Sequence, residues 1–298
     1  MNSPKRVLIL GVSGMLGSAI FRILSKDTHL HVEGTCRQLE ILKYFSNEER
    51  VRIHANVDVL NNDDLVALFS KSKPNIVINC VGIIKQHGSA KNPLEVLPIN
   101  SLLPYRLSNL CNLSNARLIL ISTDCVFNGR KGNYTESDLP NAEDLYGKSK
   151  EIGEITDQTN VLTIRTSIIG HELNSNYSLV NWFLSQNHEV KGFTKAIFSG
   201  LPTCEIAEII GKLILPNDAL HGLYHISSNP ISKFDLLKLI AEIYGKKINI
   251  IPSDELIIDR SLDSSKFREE TSYSPRSWGD LIFMMKAYKQ KYLDTINV

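Results

Sequence analysis

Tyr146 and Lys150, in the segment Tyr146-Gly-Lys-Ser-Lys150, stand four residues apart. On a helix that spacing puts both side chains on one face. A free tyrosine, with a pKa of about 10, is a poor acid or base at neutral pH. A nearby ammonium favours the phenolate, and a second positive charge on a bound ring would add to the effect. Upstream, Leu120-Ile-Ser-Thr-Asp-Cys-Val-Phe127 carries hydroxyls at Ser122 and Thr123 and a carboxylate at Asp124. Thr123 can then fix the oxygen of a reacting group while Tyr146 exchanges a proton with it. A Tyr-x-x-x-Lys pair alone is commonplace on helix surfaces, so its meaning depends on what surrounds it.

The second constellation is Gly11-Val-Ser-Gly-Met-Leu-Gly17, directly after the apolar run Val7-Leu-Ile-Leu10. Glycines there let the backbone turn tightly and approach a pyrophosphate, which the amides of a following helix N-terminus attract. The spacing is GxxGxxG rather than GxGxxG. Gly11, Ser13, Gly14, Met15, Leu16 and Gly17 are therefore the expected contacts to a dinucleotide. Arg37, twenty residues after Gly17, suits the 2′-phosphate of NADP(H), because a guanidinium matches phosphate geometry. Glu33 competes as a ribose ligand for NAD(H), but it lies inside the expected strand. Asp58, ending a third strand, and Val59 beside it are expected near the adenine. Cys80, Val81 and Gly82, after a fourth, are expected near the nicotinamide ribose, whose hydroxyls Lys150 can hold.

The frame that must carry these groups is legible as alternation. Short apolar runs (Val7–Leu10, His31–Cys36, Val51–Val57, Asn75–Asn79, Leu118–Ile121, Val161–Arg165) read as strands. Amphipathic stretches between them (Met15–Leu24, Asp63–Ser70, Asn100–Leu113, Leu145–Ile155) read as helices, with 128–144 a loop. The fold class is α/β: a Rossmann-type doubly wound parallel sheet over 1–165, with a smaller α/β substrate-binding lobe over 166–298. Some segments of the second part are expected to return to the sheet. Helices are expected at 179–184, 204–215 and 233–244, and short strands near 224–226 and 247–251. Arg165, Asn181, Trp182 and Lys195 are candidate substrate or cofactor contacts.

Composition excludes other classes. Lys+Arg (33) and Asp+Glu (32) nearly cancel, so no nucleic-acid partner is indicated. The five cysteines are scattered, with no CxxC pair and no Cys/His cluster, so neither a disulfide framework nor a metal site is expected. No apolar stretch suits a signal peptide or a membrane span. The expected location is cytoplasmic.

With those motifs together the chain resembles the extended short-chain dehydrogenases/reductases, and among them the dTDP-4-dehydrorhamnose reductase group. Gly11–Gly17, Ser122–Phe127, Tyr134-Thr-Glu136, Tyr146–Lys150, Gly200-Leu-Pro-Thr203 and Tyr224-His-Ile-Ser227 carry the resemblance. It implies a catalytic Thr123, Tyr146 and Lys150, and reduction of the 4-keto group of a nucleotide-linked 6-deoxy sugar by NADP(H), with NAD(H) as the alternative. Asp124, Cys125 and Trp182 are the substrate-binding candidates. Cys125 stands where the family usually has tyrosine, and Leu201 where it usually has serine, so the sugar and base stay open. A homodimer is compatible with the group. The metal some members bind at a dimer contact is not carried over, because no matching acidic cluster is found. Two other readings use the same fold: a nucleotide-sugar epimerase or dehydratase with a retained cofactor, and a non-catalytic NADP-binding regulatory subunit.

Overall fold

The computed structural model describes residues 4–85 and 88–297. Its central sheet has seven parallel strands. In chain order they are β1 (Lys5–Leu10), β2 (Leu30–Thr35), β3 (Ile53–His54), β4 (Ile76–Asn79), β5 (Arg117–Thr123), β6 (Val161–Thr166) and Gly222–His225. In space they run Gly222–His225, β6, β5, β4, β1, β2, β3. Strand order reverses between β1 and β4, which opens a crevice at the carboxyl ends of both.

The continuous apolar runs follow from burial on two faces. Val7 and Ile9 of β1 face one way with Ile78 and Ile119, against α1 (Met15–Leu24) and Ile206–Ile214. Leu8 and Leu10 face the other way with Val77, Leu118 and Leu120, against Leu65, Phe69, Leu103 and Leu107. A third core joins Ala19 of α1 to Val180, Phe183, Leu236, Ile240, Ile282 and Met285 from the second half of the chain.

Three expected elements differ. The third strand is two residues long, not 51–57, because Val51 lies 84% exposed and Asn56 adopts φ 59°, a left-handed conformation that ends the extended run. The helix expected from Asn100 begins earlier: Pro93–Leu97 leads through a π-type turn at Pro98–Leu102 into Leu103–Leu113. Pro93 sits in the first turn, where its missing N–H costs nothing. The helix Leu145–Ile152 stops short of Ile155. There Gly153 passes so close to Asn100 that a Cβ would strike the Asn100 carbonyl.

Candidate functional site

Ser122 and Thr123 are the last residues of β5, whereas the sequence placed them just beyond it. The ladder to β6 persists through Ser122–Arg165 and Thr123–Thr166. Pleating sends the two hydroxyls to opposite faces. The Thr123 hydroxyl accepts from the Cys125 amide at 3.1 Å and donates to Asp124 Oδ1 at 3.2 Å, capping the short turn Asp124–Val126. The helix Leu145–Ile152 begins on Asp144, whose carboxylate accepts from the Gly147 amide at 2.8 Å and pairs with Lys85 at 2.6 Å. Gly147 has no room for a Cβ, which would strike the Cys125 carbonyl. That close approach brings the half-buried Tyr146 to Thr123.

Lys150 donates to the Ile121 carbonyl oxygen at 2.8 Å, below the same strand end. Burial pulls its ammonium down to about 8, against the charges of Glu154 and Cys80. Burial pushes the Tyr146 phenol up, and the Thr123 side chain only partly offsets this. Among the protein's own groups desolvation dominates, and the phenol keeps its proton.

The Lys150 shift has a stability consequence. Between the folded value of about 8 and an unfolded value of about 10.4 the unfolded chain holds more protons. This group's contribution therefore improves as pH rises through that window, and its penalty is fully present below it. Lys150→Met is expected to melt above wild type at about pH 7, with the gap closing toward about pH 10. Thermal denaturation at both pH values checks this; a variant melting lower at both refutes it.

The glycine turn has the shape a dinucleotide needs. Gly11 adopts φ 87°, and a Cβ on Gly17 would strike the Gly11 carbonyl. Gly14 starts α1 with no side-chain cap, so the first-turn amides stay available. Ser13 and Met15 are half-buried, Met15 with its sulfur beside Gly170. The side chains of Leu16 and Val59 are packed in the cores, so both can offer a ligand only backbone. Arg37 is exposed just past β2. Glu33 is committed elsewhere: burial opposes its ionisation, but Ser72, His54 and His31 hold it down at about 2. Asp58 does not end the third strand; it lies in an exposed turn, accepting from the Leu60 amide at 2.9 Å. Cys80, Val81 and Gly82 follow β4, and Cys80 faces Lys150.

Other candidates are used differently. Arg165 lies within β6 and is buried, gripping Glu154 through Nε at 2.9 Å and Nη2 at 2.7 Å. Ser122 donates to the same carboxylate at 2.5 Å. Behind Arg165, His225 is held down at about 4 by burial and by the guanidinium, so it is neutral. Asn181 is tied to His171 at 2.9 Å, and Lys195 to Asp254 at 3.4 Å. Trp182 stands exposed on the helix Leu179–Ser185, where its carbonyl accepts from Ser185 and Gln186. Among the described residues no hydrogen bond or aromatic pair joins its ring to Tyr146.

Sequence reasoning missed four groups. Glu154 is four residues beyond Lys150, a spacing that signals proximity. Asn100 locks the loop after β4 to the helix Leu145–Ile152, accepting from the Ile83 amide at 2.9 Å and donating to Ser149 at 3.1 Å. Lys233 and Arg260, distant in sequence, act electrostatically on Asp124 and Cys125. Cavities of about 200 Å³ (around His171 and Lys289) and 430 Å³ (around Asn128 and Lys195) lie off this centre. Among the described residues no three His, Cys, Asp or Glu side chains are placed to hold a metal, and no helix is long and apolar enough to cross a membrane.

A family model described as the RmlD substrate binding domain matches residues 5–282. The chain belongs to that family. The RmlD-type chain is similar to a dTDP-4-dehydrorhamnose reductase of Aggregatibacter actinomycetemcomitans, at 23% identity over 96% of this chain and 99% of the relative. It is also similar to the methionine adenosyltransferase 2 subunit beta of Danio rerio, at 23% identity over 85% and 76%. Among solved structures, a Bacillus anthracis dTDP-4-dehydrorhamnose reductase in complex with NADP superposes with a TM-score of 0.79, at 21% identity, over 96% of this chain and 99% of that one. The fold is therefore the Rossmann-like fold of that group.

Proposed function

We propose that this RmlD-type protein is an NADPH-dependent reductase of the 4-keto group of a nucleotide-linked 6-deoxy sugar, acting in the cytoplasm. The observation that carries the reading is the convergence of Thr123, Tyr146 and Lys150 at the carboxyl edge of the sheet, beside an uncapped glycine turn. The bound dinucleotide supplies the hydride for C4. Tyr146 donates a proton to the C4 oxygen as its charge develops, and Thr123 holds that oxygen. Lys150 orients the ribose hydroxyls next to it. The amides of the Gly11–Gly17 turn receive the pyrophosphate, Arg37 the 2′-phosphate, and Asp58 with the Val59 backbone the adenosine end. Cys80–Gly82 flank the nicotinamide ribose. Asp124 and Cys125 line the sugar side, Trp182 is available to the base, and residues 166–298 supply most of the substrate lobe. The dTDP-4-dehydrorhamnose reductase relative and the NADP in its structural neighbour support this assignment.

A second reading, a non-catalytic NADP-binding subunit, is favoured by the methionine adenosyltransferase subunit among the relatives. One assay separates them. Offered dTDP- and UDP-linked 4-keto-6-deoxy sugars, the protein is expected to consume one NADPH per sugar reduced and to stop when NADPH is exhausted. NADH should serve less well. Arg37→Ala should lose about 10- to 150-fold in NADPH affinity, one charged contact's worth. Absence of turnover across the panel would favour the subunit. Isomerisation without NADPH loss would establish an epimerase.

A further inference from the structure

A three-stranded sheet of the second half has Ala196–Phe198 at its centre, flanked by Ile231–Ser232 and Ile258–Asp259. The residue after each flanking strand is a cation. Lys233 opens the helix Lys233–Tyr244 behind its Ser232 cap, and Arg260 follows Asp259. Arg260 is anchored over the turn after Thr123: its Nε donates to the Phe127 carbonyl at 2.7 Å, and its Nη1 lies 3.9 Å from Cys125 Sγ. Both cations are half-buried. Among the described residues neither has a carboxylate oxygen within 4 Å, although fourteen other Lys, Arg and His side chains do.

The groups facing this pair are few. From the turn come Asp124 and Cys125; Lys85 acts on Cys125, and Asp144, paired with Lys85, also feels the charge of Arg260. Asp124 is engaged with Thr123, and burial pushes its carboxyl up against the pull of Arg260. Burial pulls Lys233 down, against the pull of Asp124 and Cys125. Desolvating a cation without a paired anion is unfavourable, and such arrangements concentrate at ligand sites.

We propose that Lys233 and Arg260 form an anion subsite beside Asp124 and Cys125, which receives a negatively charged group of the substrate. The inference rests on the nucleotide-sugar reading above and deepens it. The anion has two possible sources: the diphosphate of the sugar nucleotide, or a carboxylate on the sugar ring. The side chain at position 125 matters to both, because a small thiol leaves the Arg260 guanidinium room that a larger ring would fill.

The test is calorimetric titration of the NADP-saturated protein, in which the dinucleotide site is blocked, with UDP, dTDP, UDP-glucose and UDP-glucuronate. Wild type is compared with Lys233→Met, Arg260→Met and the charge-preserving Arg260→Lys. If the anion is the diphosphate, both Met variants bind the preferred nucleoside diphosphate at least tenfold more weakly, whatever the sugar. If it is a carboxylate, UDP and UDP-glucose are unaffected, and the tighter binding of UDP-glucuronate falls at least tenfold to the UDP-glucose level. Arg260→Lys should retain most of the affinity in either case. Met variants that melt like wild type and bind all four probes unchanged overturn the subsite, as does a wild type that binds none of them. Charge-dependent probe binding without NADPH consumption on the keto-sugar panel would retain the subsite and reject the reductase.

Discussion

Tyr146→Phe is expected to cut turnover by about 10²–10⁴-fold, the range for losing one general acid, while NADPH affinity and melting temperature stay near wild type. The substitution removes only the phenol oxygen. Tyr146 is a half-buried residue whose ring keeps its place in the helix Leu145–Ile152. Burial keeps the phenol protonated, which suits a donor in the reducing direction. Thr123 still holds its cap to Cys125, so the substrate oxygen would still be received but not protonated. Single-turnover rates and cofactor titration on the same preparation separate the two effects. A variant that keeps near-normal turnover removes Tyr146 from the acid role.

The largest effect on stability is expected at Glu154. Its side chain is 5% exposed and that of Arg165 is 4%. Glu154→Ala would leave the Arg165 guanidinium buried beside a neutral His225 and would orphan the Ser122 hydroxyl. Removing one partner of such a pair typically costs about 3–5 kcal/mol, a large part of the about 5–15 kcal/mol that holds a typical domain folded. Glu154→Gln preserves part of the hydrogen bonding and should cost less. The midpoint of urea unfolding, read with the slope unchanged, measures both. A loss under about 1 kcal/mol for Glu154→Ala would show that the pair is not desolvated as its burial indicates.

The local parts of the site were legible because their signals are local. A glycine turn between an apolar run and an amphipathic stretch must bend sharply, whatever surrounds it, and Gly11 and Gly17 do so. Tyr146 and Lys150 share a face because four residues make about one helical turn. The strands β1, β4, β5 and β6 were visible because burial on both faces demands unbroken apolar runs. Where alternation was weak, as at 51–57, the reading overran: a two-residue edge strand needs little apolar character.

The tertiary structure alone decided which polar groups meet across the chain. Arg165 and Asn181 had the character of ligand contacts, but β5–β6 pairing set Arg165 against Glu154, and the packing of 171–181 tied Asn181 to His171. Leu16 in the first turn of α1 and Val59 in the turn after β3 lie at otherwise suitable positions, and only the cores that close over them show that their side chains face inward. Lys233 and Arg260 reach Asp124 from more than a hundred residues away because two strands flank Ala196–Phe198. Residue type and spacing by themselves determined the glycine turn, the Tyr-Lys face and the parallel sheet, since each follows from backbone geometry and the burial of one segment. The charge surrounding Asp124 and Cys125 depends on non-local strand neighbours, and no spacing along the chain encodes which strands become neighbours.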